Sequence, residues 1–112
     1  MHRLYHFVLS PFCRKVRLVL AEKKIEIELI QERYWDKSAD FLKRNPAGKV
    51  PVLKTNGFFL SDSQSICEYL EETLPTYALI PEDFVERAEV RRLVFWFDDK
   101  FYNDVTVNLL YE

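Results

Sequence analysis

Asn45-Pro46-Ala47-Gly48-Lys49-Val50-Pro51-Val52-Leu53, continued by Asn56-Gly57 and Phe58-Phe59-Leu60, is the stretch on which the fold turns. Asn-Pro-Ala-Gly is turn chemistry that delivers the chain to an apolar run. Asn-Gly between two apolar runs is the strongest short-range hairpin signal a sequence offers. Pro51 removes a ladder donor, which a strand tolerates only at its first residue or at an edge. A cis Val50-Pro51 bond would leave the carbonyl and amide of Val50 free to pair with a ligand's main chain. Cis occurs at only about 5–6% of X-Pro bonds, so this proline taken alone reads as an ordinary trans turn.

Upstream, residues 3–8 are apolar and aromatic and read as a short buried strand. Ser10-Pro11 announces a helix, Ser as a preferred N-cap and Pro pre-organised for the first turn. Val16, Val19 and Leu20 then fall at helical spacing until about Lys24. Ile25, Ile27 and Leu29 alternate with Glu26 and Glu28, the period of a half-buried strand. The polar residues 32–44 hold one short helix, Ser38 to Lys43. Downstream, Ser61 to Thr73 is helical with Ile66, Cys67, Leu70 and Leu74 on one face. Residues 75–83, with Pro75 and Pro81, read as an ordered linker. A longer helix follows from 84, striped by Val90, Val94, Phe97, Phe101 and Val105 and widened by Phe95, Trp96 and Tyr102. The order β-α-β-α-β-β-α predicts an α/β domain over residues 1–74, with a mixed four-stranded sheet. Its first two strands are parallel and its last two form an antiparallel hairpin.

The chain has 112 residues, 16 Lys+Arg against 18 Asp+Glu, and a net charge of −2. Scaling of surface with mass gives roughly 6,500 Å² folded against about 19,600 Å² unfolded, enough burial for a core. The near-neutral balance argues against a nucleic-acid surface, which needs a concentrated basic face. No apolar run is long enough to span a membrane, and Met1 to His6 has no signal-peptide pattern. Cys13 and Cys67 are too few for a disulfide scaffold and suit a reducing cytoplasm. The ending, Val107 to Glu112, resembles the middle of an element.

Several residues could carry chemistry. Ser10 sits where a strand ends and a helix begins, so its hydroxyl and the positive helix end face one point. That arrangement stabilises a thiolate, each pKa unit being worth about 1.36 kcal/mol, but it equally describes a plain helix cap. Asp62-Ser63 opens a helix in the same way and could hold a carboxylate and an ammonium. The bland alternative is a capping box between Ser61 and Gln64. In Ser10-Pro11-Phe12-Cys13 the outer position of a C-x-x-C pair is Ser, which closes a dithiol mechanism. Arg14, Lys15 and Arg17 would lower the Cys13 pKa if that thiol were exposed. Cys67 lies on the apolar helix face and reads as core. His2 and His6 have no Cys or acidic cluster beside them, so no metal site is expected. Gly48 and Gly57 are the only glycines and make no phosphate loop.

Taken together these stretches resemble the N-terminal, thioredoxin-like domain of cytosolic glutathione transferases. The matching segments are Leu4-Tyr5-His6, Ser10 to Arg17, Trp35-Asp36-Lys37-Ser38, Asn45 to Leu53, and Ser61-Asp62-Ser63 leading into Ile66. The S-P-F opening is similar to the serine-type classes, and Tyr5, inside its strand, does not resemble the catalytic tyrosine of others. The resemblance implies that Ser10 donates to the sulfur of glutathione as the catalytic group, with Phe12 beside it. It implies a cis Pro51, with Val50 pairing its backbone to the cysteinyl unit. Lys37 and Lys49 would face the glycyl carboxylate, and Asp62 and Ser63 the γ-glutamyl ammonium and carboxylate. Glutathione would be the co-substrate and a small electrophile the second substrate, with no metal. A homodimer, a cytoplasmic location and an all-helical second domain come with the family, of which residues 84–112 would be the first helix of an incomplete copy.

A second resemblance points to a different class. Ala88 to Phe97 and Ile66 to Leu70 look like a bacterial subgroup of the fold, one member of which binds the tubulin-like division protein FtsZ. There the fold is an interaction scaffold with little or no glutathione turnover. The sequence reading sets a transferase first and this scaffold as its alternative.

Overall fold

The computed structural model describes residues 2–110. Tyr111 and Glu112, which close the stretch read above as mid-element, lie outside the described residues. The chain divides into two units, one up to Ala78 and one from Leu79 onward.

The first unit is a four-stranded mixed sheet in the order β2-β1-β3-β4. β1 (His2–His6) is central: it runs parallel to β2 (Ile27–Gln31), with Leu4 opposite Leu29, and antiparallel to β3 (Val52–Thr55), with Leu4 opposite Leu53. β3 turns back into β4 (Phe58–Ser61) through Asn56 and Gly57, both at positive φ (48° and 84°), the hairpin geometry that Asn-Gly favours. This is the thioredoxin-like βαβαββα arrangement.

Alternation along the two central strands sends neighbouring side chains to opposite faces. Leu4 and Leu53 meet Val16 and Leu20 of α1 (Pro11–Glu22) and Ile66 and Leu70 of α3 (Ser63–Thr73). Tyr5 and Val52 meet Phe41 of α2 (Ala39–Arg44) on the other face, in a cluster that includes Val50 and Cys13. Cys67 packs in the first of these cores, as its helix face suggested.

Four local expectations shift. The first strand ends at His6 rather than residue 8, and Val8 is 57% exposed in the turn that follows. The second strand starts at Ile27, two residues late, because Ile25 donates its N–H to the carbonyl of Leu20 in closing α1. Within it Leu29 is 48% exposed despite its place in the apolar alternation. β2 is an edge strand, and only Ile27 and Ile30 pack against the cores. The capping box also fails: Ser61 is still in the ladder opposite Val52, and Gln64 turns to Lys15 (Nζ to Oε1, 3.4 Å). Asp62 caps α3 instead, accepting from the N–H of Ser65 at 3.1 Å.

Lys23 is the largest departure from what an isolated helix would show. It continues the buried stripe Cys13, Val16, Leu20 at spacings of three and four, and its side chain is 1% exposed. Its ammonium donates to the Glu71 carboxylate at 3.0 Å, to the Leu74 carbonyl at 2.8 Å and to the Thr76 carbonyl at 3.4 Å. All three donors of a lysine are thereby used.

The second unit is described by itself. Asp83 caps a helix by accepting from the N–H of Glu86 at 2.9 Å. The chain stays helical through α4 (Phe84–Phe95), a π-helical stretch (Trp96–Thr106) and α5 (Val107–Leu110). In the π stretch the N–H of Val107 reaches back five residues to Tyr102. Trp96, Phe97 and Phe101 form an aromatic triangle there, with centroids 5.0–5.8 Å apart. Of the apolar stripe read from the sequence, Phe95 is 69% and Phe97 53% exposed, whereas Val90, Val94 and Tyr102 are half-buried. Among the described residues no helix is long and apolar enough to cross a membrane.

Replacing Lys23 by Met, which keeps the volume and removes the charge, takes the ammonium away from the Glu71 carboxylate and from two carbonyls. The expected loss is about 3 kcal/mol, the scale for breaking a buried pair. Thermal denaturation should show a fall of more than 10 °C, on the order of 4–8 °C per kcal/mol for a unit this size. A change under about 3 °C would mean that the ammonium is not a structural clamp.

Candidate functional site

Two helix starts meet at one end of the sheet, and the register shows why. Tyr5, Val52 and Ser61 form a row across β1, β3 and β4. β1 and β4 both run toward this row and each then enters a helix, while β3 departs from it. The segments just beyond the row are therefore Phe7 to Ser10, Val50-Pro51 and Asp62-Ser63. The helices they feed are parallel: Lys15 meets Gln64 and, eight residues on, Lys23 meets Glu71, seven residues on. Their N-terminal ends, each equivalent to about half a positive charge, thus lie at the same end.

Ser10 is buried at 5% exposure, in extended conformation, with Pro11 as the first helical residue. Its Oγ accepts from the N–H of Cys13 at 3.3 Å. The capping reading is thus realised through one lone pair, and the hydroxyl also lies within hydrogen-bond reach of the Cys13 sulfur. A serine hydroxyl has a second lone pair and a proton to donate, so capping and thiolate stabilisation are compatible. Phe12 is half-buried in the same turn.

The Val50-Pro51 bond is cis. Val50 lies before the first ladder pair of β3, and the loop delivering it is held by Asn45. The Asn45 side chain is buried; its Nδ2 donates to the Lys49 carbonyl at 2.9 Å, and its Oδ1 accepts from the Ala47 N–H at 3.2 Å. Gly48, at φ 69°, completes the turn where a left-handed residue is required.

Asp62 has φ 75° and ψ 117°, a conformation that L-residues avoid at a cost of roughly 1–3 kcal/mol. One carboxylate oxygen, Oδ2, takes both the N–H of Ser65 at 3.1 Å and its hydroxyl at 2.9 Å. Among the described residues no hydrogen bond falls on the other carboxylate oxygen. Ser63, the first residue of α3, is 5% exposed.

The register brings Ser10, Phe12, Val50, Pro51, Asp62 and Ser63 to this end. Lys49 is exposed beside Val50. Lys37 is exposed at φ 47° in the turn that ends the 3₁₀ segment Tyr34–Asp36, before the Ser38 cap of α2, and the Tyr34 and Trp35 rings of that segment pack on Phe7 at centroid distances of 5.9 and 5.1 Å. No hydrogen bond among the described residues ties Lys37 to the others.

Cys13 does not carry a reactive thiol. It is fully buried, and burial pushes its pKa up despite the opposing influence of Ser10, the Phe7 backbone and Arg17. The sequence reading that nearby basic residues lower it required an exposed thiol. Tyr5 is buried, with the Arg44 guanidinium 4.5 Å from its ring centroid. His2 is bonded to Thr55 at 2.7 Å and His6 to Arg17 at 3.1 Å. Among the described residues no group of three His, Cys, Asp or Glu converges as metal ligands would. Sequence reasoning missed the Arg17–His6 pair and Lys23; only Lys23 left a signal, a lysine on an otherwise apolar stripe.

Comparison with known proteins fits this geometry. The family described as "Glutathione S-transferase, N-terminal domain" matches residues 4–77. FtsZ-localized protein A of Caulobacter vibrioides is 42% identical over 97% of this chain and 50% of its own length. The crystal structure of a glutathione S-transferase from Rhodospirillum rubrum is 50% identical, with TM-score 0.90 over 95% of this chain and 49% of that one. A glutathione S-transferase from Methylobacterium radiotolerans, solved in complex with glutathione sulfonate, is 37% identical, with TM-score 0.76 over 81% of this chain and 43% of that one. The chain spans about half the length of the relatives it matches.

Ser10→Ala removes the cap and should cost about 1 kcal/mol, read as a lower thermal midpoint, with Ser10→Thr restoring most of it. Cys13 in the native chain should resist a disulfide-exchange reagent at pH 8 until denaturant is added. Labelling within seconds under native conditions would contradict its burial.

Proposed function

The chain belongs to the glutathione S-transferase family through its N-terminal domain, and from that premise we propose that it is part of a glutathione-transferase-fold protein that binds the division protein FtsZ. The observation that carries this reading is the 42% identity to FtsZ-localized protein A along 97% of the chain. Residues 1–74 are the glutathione-type domain, 75–83 a linker, and 84–112 the first helix of an all-helical domain. A cytoplasmic location goes with that partner.

The same reading keeps glutathione as the ligand of the sheet end. The Ser10 hydroxyl, with its proton left over from capping, points that proton to the glutathione sulfur, with Phe12 alongside. The main chain of Val50, next to Pro51, lies outside the ladder and pairs with the cysteinyl unit. The γ-glutamyl end meets the start of α3, its carboxylate on Ser63 and the helix N–H groups, its ammonium on the remaining oxygen of Asp62. Lys49 and Lys37 are left for the glycyl carboxylate, Lys37 from the turn whose neighbouring rings pack on Phe7.

A second reading, a conjugating transferase, is favoured by the 50% identity to the Rhodospirillum rubrum protein. There the helix ends and Ser10 favour the thiolate, which attacks the carbon of an aryl halide and expels halide. Two measurements separate the readings. With FtsZ polymerised by GTP, the chain is expected in the pellet, and its absence there would sink the scaffold. Conjugation of an aryl halide that falls at least about tenfold in Ser10→Ala, one pKa unit of the sulfur, would install the transferase in its place.

A further inference from the structure

His6 ends β1 nearly buried, and its Nδ1 lies 3.1 Å from Nη1 of Arg17 on α1. A guanidinium carries only donors, so Nδ1 must accept, and the ring is neutral with its proton on Nε2. The other arm of Arg17 reaches back over the connection, its Nη2 donating to the Val8 carbonyl at 3.2 Å. The Ser10 N–H donates to the Phe7 carbonyl at 3.1 Å. The turn from β1 to α1 is therefore fastened at its middle by Arg17 and at its end by the main chain. Val8 and Leu9 are exposed, so packing of their side chains adds little hold.

We propose that Arg17 is the positioning residue for Ser10, and that a neutral His6 is what keeps Arg17 in place. The inference draws its functional weight from the reading of Ser10 as the group that faces a bound thiol. Protonating His6 sets an N–H against an N–H and a positive charge against a positive charge. Arg17 then leaves, Val8 loses its donor, and the turn that delivers Ser10 loosens.

The surroundings of His6 reinforce the neutral form. Arg17 faces it from α1. On β2 its register partner is the uncharged Gln31. Glu32, next along, donates its N–H to the His6 carbonyl at 2.8 Å, and its carboxylate is engaged by Arg44 at 3.6 Å. On the β3 side the chain beyond Val52 is Pro51 and Val50, which carry no charge. Burial first, and the Arg17 charge second, hold the imidazole pKa below its ordinary 6.5. The unfolded chain thus takes up the proton first. The contribution of this pair is complete above pH 6.5 and is lost as the pH falls below it.

Amide hydrogen exchange of the ligand-free chain at pH 7.5 and 5.5, corrected for intrinsic rates, tests this together with glutathione calorimetry. In the wild type, protection of the Ser10 amide should fall roughly tenfold at the lower pH, the scale of one lost hydrogen bond. His6→Asn, whose carboxamide oxygen can stand in for Nδ1 and cannot titrate, should keep high protection at both. Arg17→Gln should be low at both, while the amides of α3 keep wild-type protection. Wild-type protection of Ser10 in Arg17→Gln, or an undiminished fall in His6→Asn, would overturn the assignment. Glutathione at pH 7.5 should bind Arg17→Gln several-fold more weakly than wild type, and equal affinity would also overturn it. If the exchange pattern holds and no variant, wild type included, binds glutathione, the glutathione reading fails and the Arg17 assignment stands.

Discussion

Two parallel helices on one face of a sheet carry an electrostatic constraint that the rest of this structure answers. Each helix is a dipole with about half a charge at either end, so packing α1 and α3 in parallel gathers two negative ends together and two positive ends together. At the negative end the chain supplies its own counter-charge. Lys23, itself the residue that ends α1, buries its ammonium against the Leu74 and Thr76 carbonyls and the Glu71 carboxylate where α3 closes. At the positive end the carboxylate of Asp62 caps α3, while α1 has the neutral Ser10 as its cap and no acidic residue in its first turn. The packing that requires Lys23 at one end thus creates, at the other, a place that favours an added anion.

The residues at that end serve two masters. Ser10 and Asp62 each complete a helix, and each retains hydrogen-bonding capacity afterwards: a hydroxyl proton in one case, a carboxylate oxygen in the other. A structural cap and a ligand contact are therefore not rival explanations here.

Most of the candidate site was legible because its signals are local. Ser-Pro before an apolar stripe, Asn-Gly between apolar runs, and Asn-Pro-Ala-Gly ahead of Val-Pro each fix a conformation within four residues. The same locality explains the failures. Ser61 and Gln64 satisfy the capping pattern in sequence, but Ser61 is claimed by its ladder partner Val52 and Gln64 by Lys15 on another helix. Leu29 obeys the alternation of a half-buried strand, yet β2 is an edge and leaves it 48% exposed. In the second unit the stripe from Val90 to Val105 was evident, whereas its passage through a π-helical stretch beside three aromatic rings in edge and tilted contact was not.

By itself the sequence determined the order of elements, the hairpin, the helix starts, and which residues stand at the mouths of those helices. These follow from backbone sterics and from hydrogen bonds that span a few residues. Tertiary structure alone decided that the two helix mouths open on the same end of the sheet. It also decided that Lys23 is a buried clamp rather than a surface lysine, that Cys13 is shielded, and that Arg17 joins His6 to Val8. Each of those depends on groups brought together from distant parts of the chain, where strand register and burial, rather than local spacing, set which charges and donors face one another.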